Sequence, residues 1–280
     1  MKKILITGGQ GFIGFNLCKV LIQKGCQVFS LDCNLSERCD RKVLGVKYFK
    51  GNTVDIFNIL KSFEFDVIFH LGEYSRVSNS FDNMAQVSNS NIMGTAQILE
   101  FWRERKCKLI YAGSSTKFSE IKAETPYSFT KSNNTELVKK YGEWFDLEYS
   151  ITYFYNVFGE GENEISEFAT LIGIFKNRKK KSIPLEIVLP GSQKRNFTHI
   201  KDTVNALILI LEEGKDKEYH IGSDKKYSVL EVAKMFNSDI KFINSKKGDR
   251  KDSFCDNSKI KKLGWKEQYY LKDYINMILK

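Results

Sequence analysis

The chain has 280 residues and a mass of 32.4 kDa, and its 42% hydrophobic content is enough for one large domain, or two closely joined ones, around a substantial core. No apolar run approaches the ~20 residues that span a bilayer, and the chain enters a strand at once without a charged and then apolar leader, so a soluble cytoplasmic protein is expected. The formal net charge is +10, but the lysines are spread along the chain and not interleaved with aromatics in one block, which argues against nucleic acid and suits a small anionic substrate.

Residues 4–14 read Ile-Leu-Ile-Thr-Gly-Gly-Gln-Gly-Phe-Ile-Gly, an apolar run that breaks at Gly8, Gly11 and Gly14 and then turns helical. That pattern is a strand, a tight turn and a helix start. Glycines in such a turn permit positive φ and a close approach to a ligand, and the exposed N–H groups of a helix start favour a pyrophosphate. The next apolar stretch, Val28 to Leu31, ends at Asp32. A carboxylate there can accept hydrogen bonds from a ribose diol and would repel a 2′-phosphate, so NAD is expected over NADP.

Strands are expected at 46–50, 66–71 and 108–112, with a helix over 83–105 in which Ile92, Ala96, Leu99 and Trp102 recur at helical spacing. This alternation predicts a Rossmann-like α/β fold, a doubly wound parallel sheet covered on both faces, with ligands at the carboxyl ends of its strands. Thr125 and Pro126 suit the N-cap and first position of a helix running to about Trp144, and a strand follows over 148–154. Farther on the spacing is less regular, with strands at 185–189, 195–200 and 218–221 and helices near 164–178, 201–213 and 228–236. We expect a dinucleotide-binding domain over 1–160 and a smaller α/β substrate domain over 161–280, with 195–223 returning toward the main sheet.

Tyr127 and Lys131 stand four residues apart, on one face of their helix, and form the only Tyr-x-x-x-Lys of the chain. The strand before that helix ends in Gly113-Ser114-Ser115-Thr116, so hydroxyl, phenol and ammonium can converge beside a nicotinamide. The six cysteines, at 18, 26, 33, 39, 107 and 255, form no C-x-x-C pair, and we expect reduced thiols and no metal. His70, His199 and His220 fall in strand-like segments and read as packed core residues. The run Arg178-Lys179-Lys180-Lys181 reads as a solvated helix end.

With these residues the chain resembles the extended short-chain dehydrogenase/reductase family, in its nucleotide-sugar epimerase and dehydratase branch. The likeness runs through Thr7 to Gly14, His70-Leu71-Gly72 where the family usually has His-Leu-Ala, Asn91-Ile92-Met93-Gly94-Thr95, and Pro126-Tyr127 through Lys131. It continues in Tyr155-Asn156-Val157-Phe158-Gly159, Arg195 through Asp202, His220-Ile221-Gly222-Ser223 and Leu263-Gly264-Trp265.

The resemblance implies that Gly8, Gly11, Phe12, Ile13, Gly14, Asp32, Leu71, Gly72, Asn91, Tyr127 and Tyr155 hold NAD, with Asn52 and Thr53 flanking the adenine. It implies that Lys131 holds the nicotinamide ribose and favours the phenolate of Tyr127, that Tyr127 takes a proton from a sugar hydroxyl, and that Ser114 hydrogen-bonds the same oxygen. Ser115 and Thr116 would face the sugar, and Asn156 and Arg195, with Lys246 or Arg250, the substrate diphosphate.

Departures narrow the reaction. Sugar 4,6-dehydratases of the family carry Asp and Glu where this chain has Ser115 and Thr116, so dehydration is disfavoured; Glu120 and Glu124 nearby read as solvated. Only 13 positions separate Ser114 from Tyr127, which leaves room for a larger sugar such as a heptose, and Tyr153 stands where relatives often have Arg. The expected function is NAD-dependent oxidation at C4 of a nucleoside-diphosphate sugar, as a 4-epimerase or 4-dehydrogenase serving bacterial capsule or lipopolysaccharide. A 4,6-dehydratase or 4-keto reductase is the alternative within the family. A non-catalytic NAD-sensing regulator is the alternative outside it, opposed by the intact hydroxyl, phenol and ammonium. The resemblance also implies a homodimer packed through the helices at 83–105 and 126–144.

Overall fold

The computed structural model describes residues 1–34, 39–118, 124–215, 217–245 and 254–280. The first half runs β1 (Lys3–Thr7), α1 (Phe12–Gln23), β2 (Gln27–Asp32), β3 (Lys47–Lys50), α2 (Ile56–Leu60), β4 (Val67–His70), α3 (Met84–Val87), α4 (Thr95–Arg105), β5 (Lys108–Ser114), α5 (Pro126–Trp144) and β6 (Tyr149–Phe154). The second half adds β7 (Val157–Phe158), α6 (Leu171–Lys180), β8 (Leu185–Val188), β9 (Lys194–Asn196), β10 (Thr198–His199), α7 (Ile200–Glu213), β11 (Glu218–Ile221), β12 (Lys226–Ser228), α8 (Val229–Met235), β13 (Ile240–Ile243), α9 (Ser258–Lys262) and α10 (Leu271–Ile278).

Seven strands form one parallel sheet in the order β11-β6-β5-β4-β1-β2-β3. Its inner strands are apolar on both sides because both faces are covered. On one face Leu17 and Leu21 of α1 meet Val204 and Leu207 of α7 over Ile4 and Ile6; on the other, Ile98 and Trp102 of α4 and Val138 of α5 cover Leu5, Ile68 and Leu109. The strand order reverses between β1 and β4, and this crevice is where sheets of this kind take ligands.

The helix expected over 83–105 changes pitch partway: Ser88–Gly94, between α3 and α4, winds in wider i→i+5 turns. The widening goes with a close contact, for a Cβ at Gly94 would lie 2.1 Å from the Thr53 hydroxyl oxygen. The helix expected near 164–178 instead begins at Leu171, because the Thr170 hydroxyl caps it, accepting from the Gly173 N–H at 2.9 Å.

Strand β11 joins the main sheet beside β6, and Ile200, Leu207, Tyr219 and Trp265 belong to the core built on β1 and α1. Phe158, Phe175, Ile187 and Phe197 share a separate core with Val232, Phe236 and Tyr274.

Beside that third core Glu162 is buried, accepting from the Tyr274 hydroxyl at 3.3 Å and from the Thr170 hydroxyl. Burial pushes its carboxyl up to about 7, which the Thr170 bond offsets only in part. The folded state therefore keeps a proton that the unfolded chain releases near pH ~4.3. This contribution to stability is complete below that pH and is lost as pH rises through about 7. Glu162→Gln should remove up to about 3 kcal/mol of that decline, measured as a smaller drop in urea midpoint between about pH 5 and pH 8.

Candidate active site

A cleft of about 800 Å³ opens along the carboxyl ends of β1, β2, β4 and β5. At one end the turn between β1 and α1 forms a bare backbone cradle. Gly8 has φ of +73° and a Cβ there would lie 2.8 Å from the Gly72 Cα, while a Cβ at Gly14 would lie 2.2 Å from the Gly8 carbonyl oxygen. Only hydrogen fits at either place. The Asp32 carboxylate is fixed at the end of β2 by the backbone N–H groups of Gln10 and Asn34, each at 2.9 Å. A glycine cradle, a helix start and a fixed acid fit a dinucleotide, and Gly11, Phe12, Ile13, Asn52, Thr53, Leu71 and Gly72 line the same cleft.

Farther along, the cleft is lined by Ser114, Ser115, Thr116, Tyr127, Lys131, Asn156 and Arg195. The start of α5 holds Tyr127 in place: the Thr125 hydroxyl accepts from the Ser128 N–H at 3.1 Å, the Ser128 hydroxyl accepts from the Thr125 N–H at 2.9 Å, and Pro126 takes the first helical position. Lys131 follows one turn later. The Ser114 hydroxyl lies 2.9 Å from that of Thr116, whereas the Ser115 hydroxyl donates to the Phe154 carbonyl at 2.7 Å.

The Lys131 ammonium bonds the Ala112 carbonyl and the carboxylate of Glu73, and lies 4.6 Å from the centre of the Tyr111 ring. Glu73 also accepts from Thr95 at 2.9 Å, Tyr111 at 3.2 Å and Asn134 at 2.8 Å. The two charged side chains are only 3% and 5% exposed, Glu73 and Lys131 in that order. Sequence reasoning passed over Glu73. Its one signal was a charged residue directly after His70-Leu71-Gly72, at the end of an apolar strand where a solvated side chain has no place. Arg76 was passed over too; it lines the cleft, and its buried Nε has no hydrogen-bond partner among the described residues.

Asn91 and Tyr155 are not among the residues that line the cleft. Asn91 ties the backbone of Tyr74 to the Thr130 hydroxyl, and the Tyr155 hydroxyl bonds His220 and the Phe254 carbonyl. Tyr153 donates to Glu218 at 2.5 Å, and Glu124 is exposed. Glu120, Lys246 and Arg250 lie outside the described residues. Burial lowers all three histidines below their ordinary value, His70 and His199 to about 4, so they are neutral near pH ~7. Among the described residues no helix is long and apolar enough to cross a membrane.

Residues 4–222 match the model of the NAD dependent epimerase/dehydratase family. The chain belongs to that family. This family member is 32% identical over 269 residues to a dTDP-D-glucose 4,6-dehydratase of Dictyostelium discoideum, a match that takes in 84% of this chain and 61% of the relative's length. It is 28% identical over 311 residues to a UDP-glucuronate 4-epimerase of Thermodesulfobacterium geofontis, covering 98% of this chain and 94% of that one. The structure of a Thermus thermophilus UDP-glucose 4-epimerase in complex with NAD superposes with a TM-score of 0.90 at 20% identity, covering 99% of this chain and 97% of the other. The epimerase/dehydratase family enzyme described here uses NAD, and its fold is that of the UDP-glucose 4-epimerase structures.

Proposed function

We propose that the enzyme oxidises the C4 hydroxyl of a nucleoside-diphosphate sugar and acts as a 4-epimerase or a 4-dehydrogenase. The observation that carries this reading is that Ser114, Tyr127 and Lys131 line one cleft with the glycine cradle. NAD, when bound, supplies the acceptor for the carbon-bound hydride. Tyr127 removes the hydroxyl proton, and Ser114 donates a hydrogen bond to the same oxygen as it becomes a ketone. Lys131 favours the phenolate and holds the cofactor ribose; Asp32 binds the adenosine ribose, and Asn52 and Thr53 flank the adenine.

Arg195 and Asn156 hold the substrate diphosphate, where a guanidinium matches two phosphate oxygens. Loss of water from the sugar is disfavoured, because Ser115 is engaged with β6 and neither it nor Thr116 is an acid or base near neutral pH. The relatives' names, a dTDP-D-glucose 4,6-dehydratase and a UDP-glucuronate 4-epimerase, support a pyrimidine nucleotide sugar as the substrate class. We propose a role in a bacterial surface glycan, on the resemblance to nucleotide-sugar enzymes alone.

The test incubates the enzyme with NAD and a panel of UDP-, dTDP-, GDP- and CDP-sugars, following reduced nicotinamide by absorbance and the sugar by NMR. A C4 epimer without net reduction gives a 4-epimerase, a 4-keto product with stoichiometric NADH a 4-dehydrogenase, and no conversion of any sugar overturns the reading. A homodimer is proposed through the outer faces of the helical stretches 83–105 and 126–144, where Ile92 and Met93 of the wide-turn segment and Phe129 and Trp144 of α5 are exposed. Light scattering at micromolar concentration should return twice the 32.4 kDa chain mass.

A further inference from the structure

We infer that Glu73 is a positioning residue of the reaction, holding the Lys131 ammonium against the cleft wall and setting how strongly that cation favours the Tyr127 phenolate. The inference rests on the proposed role of Tyr127 as base.

The geometry begins with the count of donors on Glu73. Lys131, Thr95, Tyr111 and Asn134 all donate to this one carboxylate, so it is satisfied as an anion inside the protein. A serine or threonine hydroxyl has a single hydrogen, and Thr95 gives its own to Glu73. The His70 Nε2, 3.1 Å from the Thr95 oxygen, must therefore be the donor there, which leaves Nδ1 to accept from the Thr7 hydroxyl at 2.7 Å. The Thr7 oxygen in turn accepts from the Gly72 N–H at 3.0 Å. An unbroken line of hydrogen bonds thus runs from β1, beside the glycine turn, to the amine of Lys131.

Electrostatics gives the arrangement a consequence. An ammonium beside a phenol favours the phenolate, and a carboxylate bonded to that ammonium cancels part of the effect. The titratable groups facing the pair are His70 from β4 and Tyr111 from β5, while Tyr74 and Arg76 from the segment after β4, with Glu167 beside them, lie on the Tyr127 side. Burial keeps His70 neutral and pushes the Tyr111 phenol well up, so neither carries charge near neutral pH. Arg76 keeps its charge throughout and acts alike on parent and variant. Glu73 is therefore the one negative group in contact with Lys131 among the described residues.

The test replaces Glu73 by Gln, which preserves shape and removes the charge. Carbon-labelled tyrosine NMR of the protein without cofactor, with the Tyr127 signal assigned through Tyr127→Phe, follows the phenol directly. Its titration should move to lower pH by on the order of one unit. The acid limb of kcat/KM should move the same way on whichever nucleotide sugar is turned over. If the Gln variant does not fold, Glu73→Ala, which admits water beside Lys131, reads the same displacement. A phenol that titrates at the parent's pH or above it overturns the inference, even where turnover falls. The NMR titration needs no turnover, so a failure to find a substrate leaves this result standing by itself.

Discussion

Tyr127→Phe should turn over its nucleotide sugar about a hundred- to ten-thousand-fold more slowly than the parent, the reach of one positioned acid–base group. NAD affinity and stability should hardly change. The ring packs with Tyr74 and Val87, contacts that phenylalanine preserves, and the backbone N–H of residue 127 keeps its bond to the Ser80 hydroxyl at 3.2 Å. Single-turnover kinetics beside a NAD fluorescence titration separates the two effects. Unchanged turnover would remove Tyr127 from its role, whereas loss of NAD binding would make the residue part of the cofactor site alone.

Lys131→Met should be the most destabilising single change in the site. Burial disfavours charge on Glu73, but Lys131 outweighs it and, with the hydrogen bonds to the carboxylate, holds the group below the ordinary carboxylate range. Removing the ammonium leaves a buried carboxylate without its cation, at a cost of about 3–5 kcal/mol near neutral pH. The sign with pH follows from the two states. In the parent, Glu73 adds stability above the unfolded carboxylate value, lost as pH falls through its lowered folded value. In the variant, burial is opposed only by the remaining hydrogen bonds from Thr95, Tyr111 and Asn134 and raises the folded value, so stability falls as pH rises. The gap between parent and variant in thermal midpoint should widen between about pH 5 and pH 8, and a constant gap would show that the substituted methionine simply packs badly. NAD affinity should drop in the same variant, through loss of a ribose contact.

Some of this was legible because the physics is local. A glycine whose missing side chain makes room for the Gly8 carbonyl, a threonine three residues before the serine it caps, and an acid closing an apolar strand are all written within a few positions of chain. The parallel sheet was legible from alternating periods, and α5 begins where Thr125 and Pro126 predict and ends at the expected Trp144. Residues such as Asn91 and Tyr155 were read from motif position, yet position in a motif does not say which way a side chain turns. Both are drawn into packing by neighbours far along the chain, Thr130 for one and His220 and Phe254 for the other.

The amino-acid order by itself determined the alternation of strands and helices in the first half, the glycine cradle, the acid at the end of β2 and the spacing of Tyr127 and Lys131, since each depends on backbone conformation or helical period over one or two turns. Only the tertiary structure decided that Glu73 meets Lys131, two residues 58 positions apart. That meeting requires β4, α4, β5 and α5 to converge, and no local preference encodes a contact that exists only when four elements bury one carboxylate together.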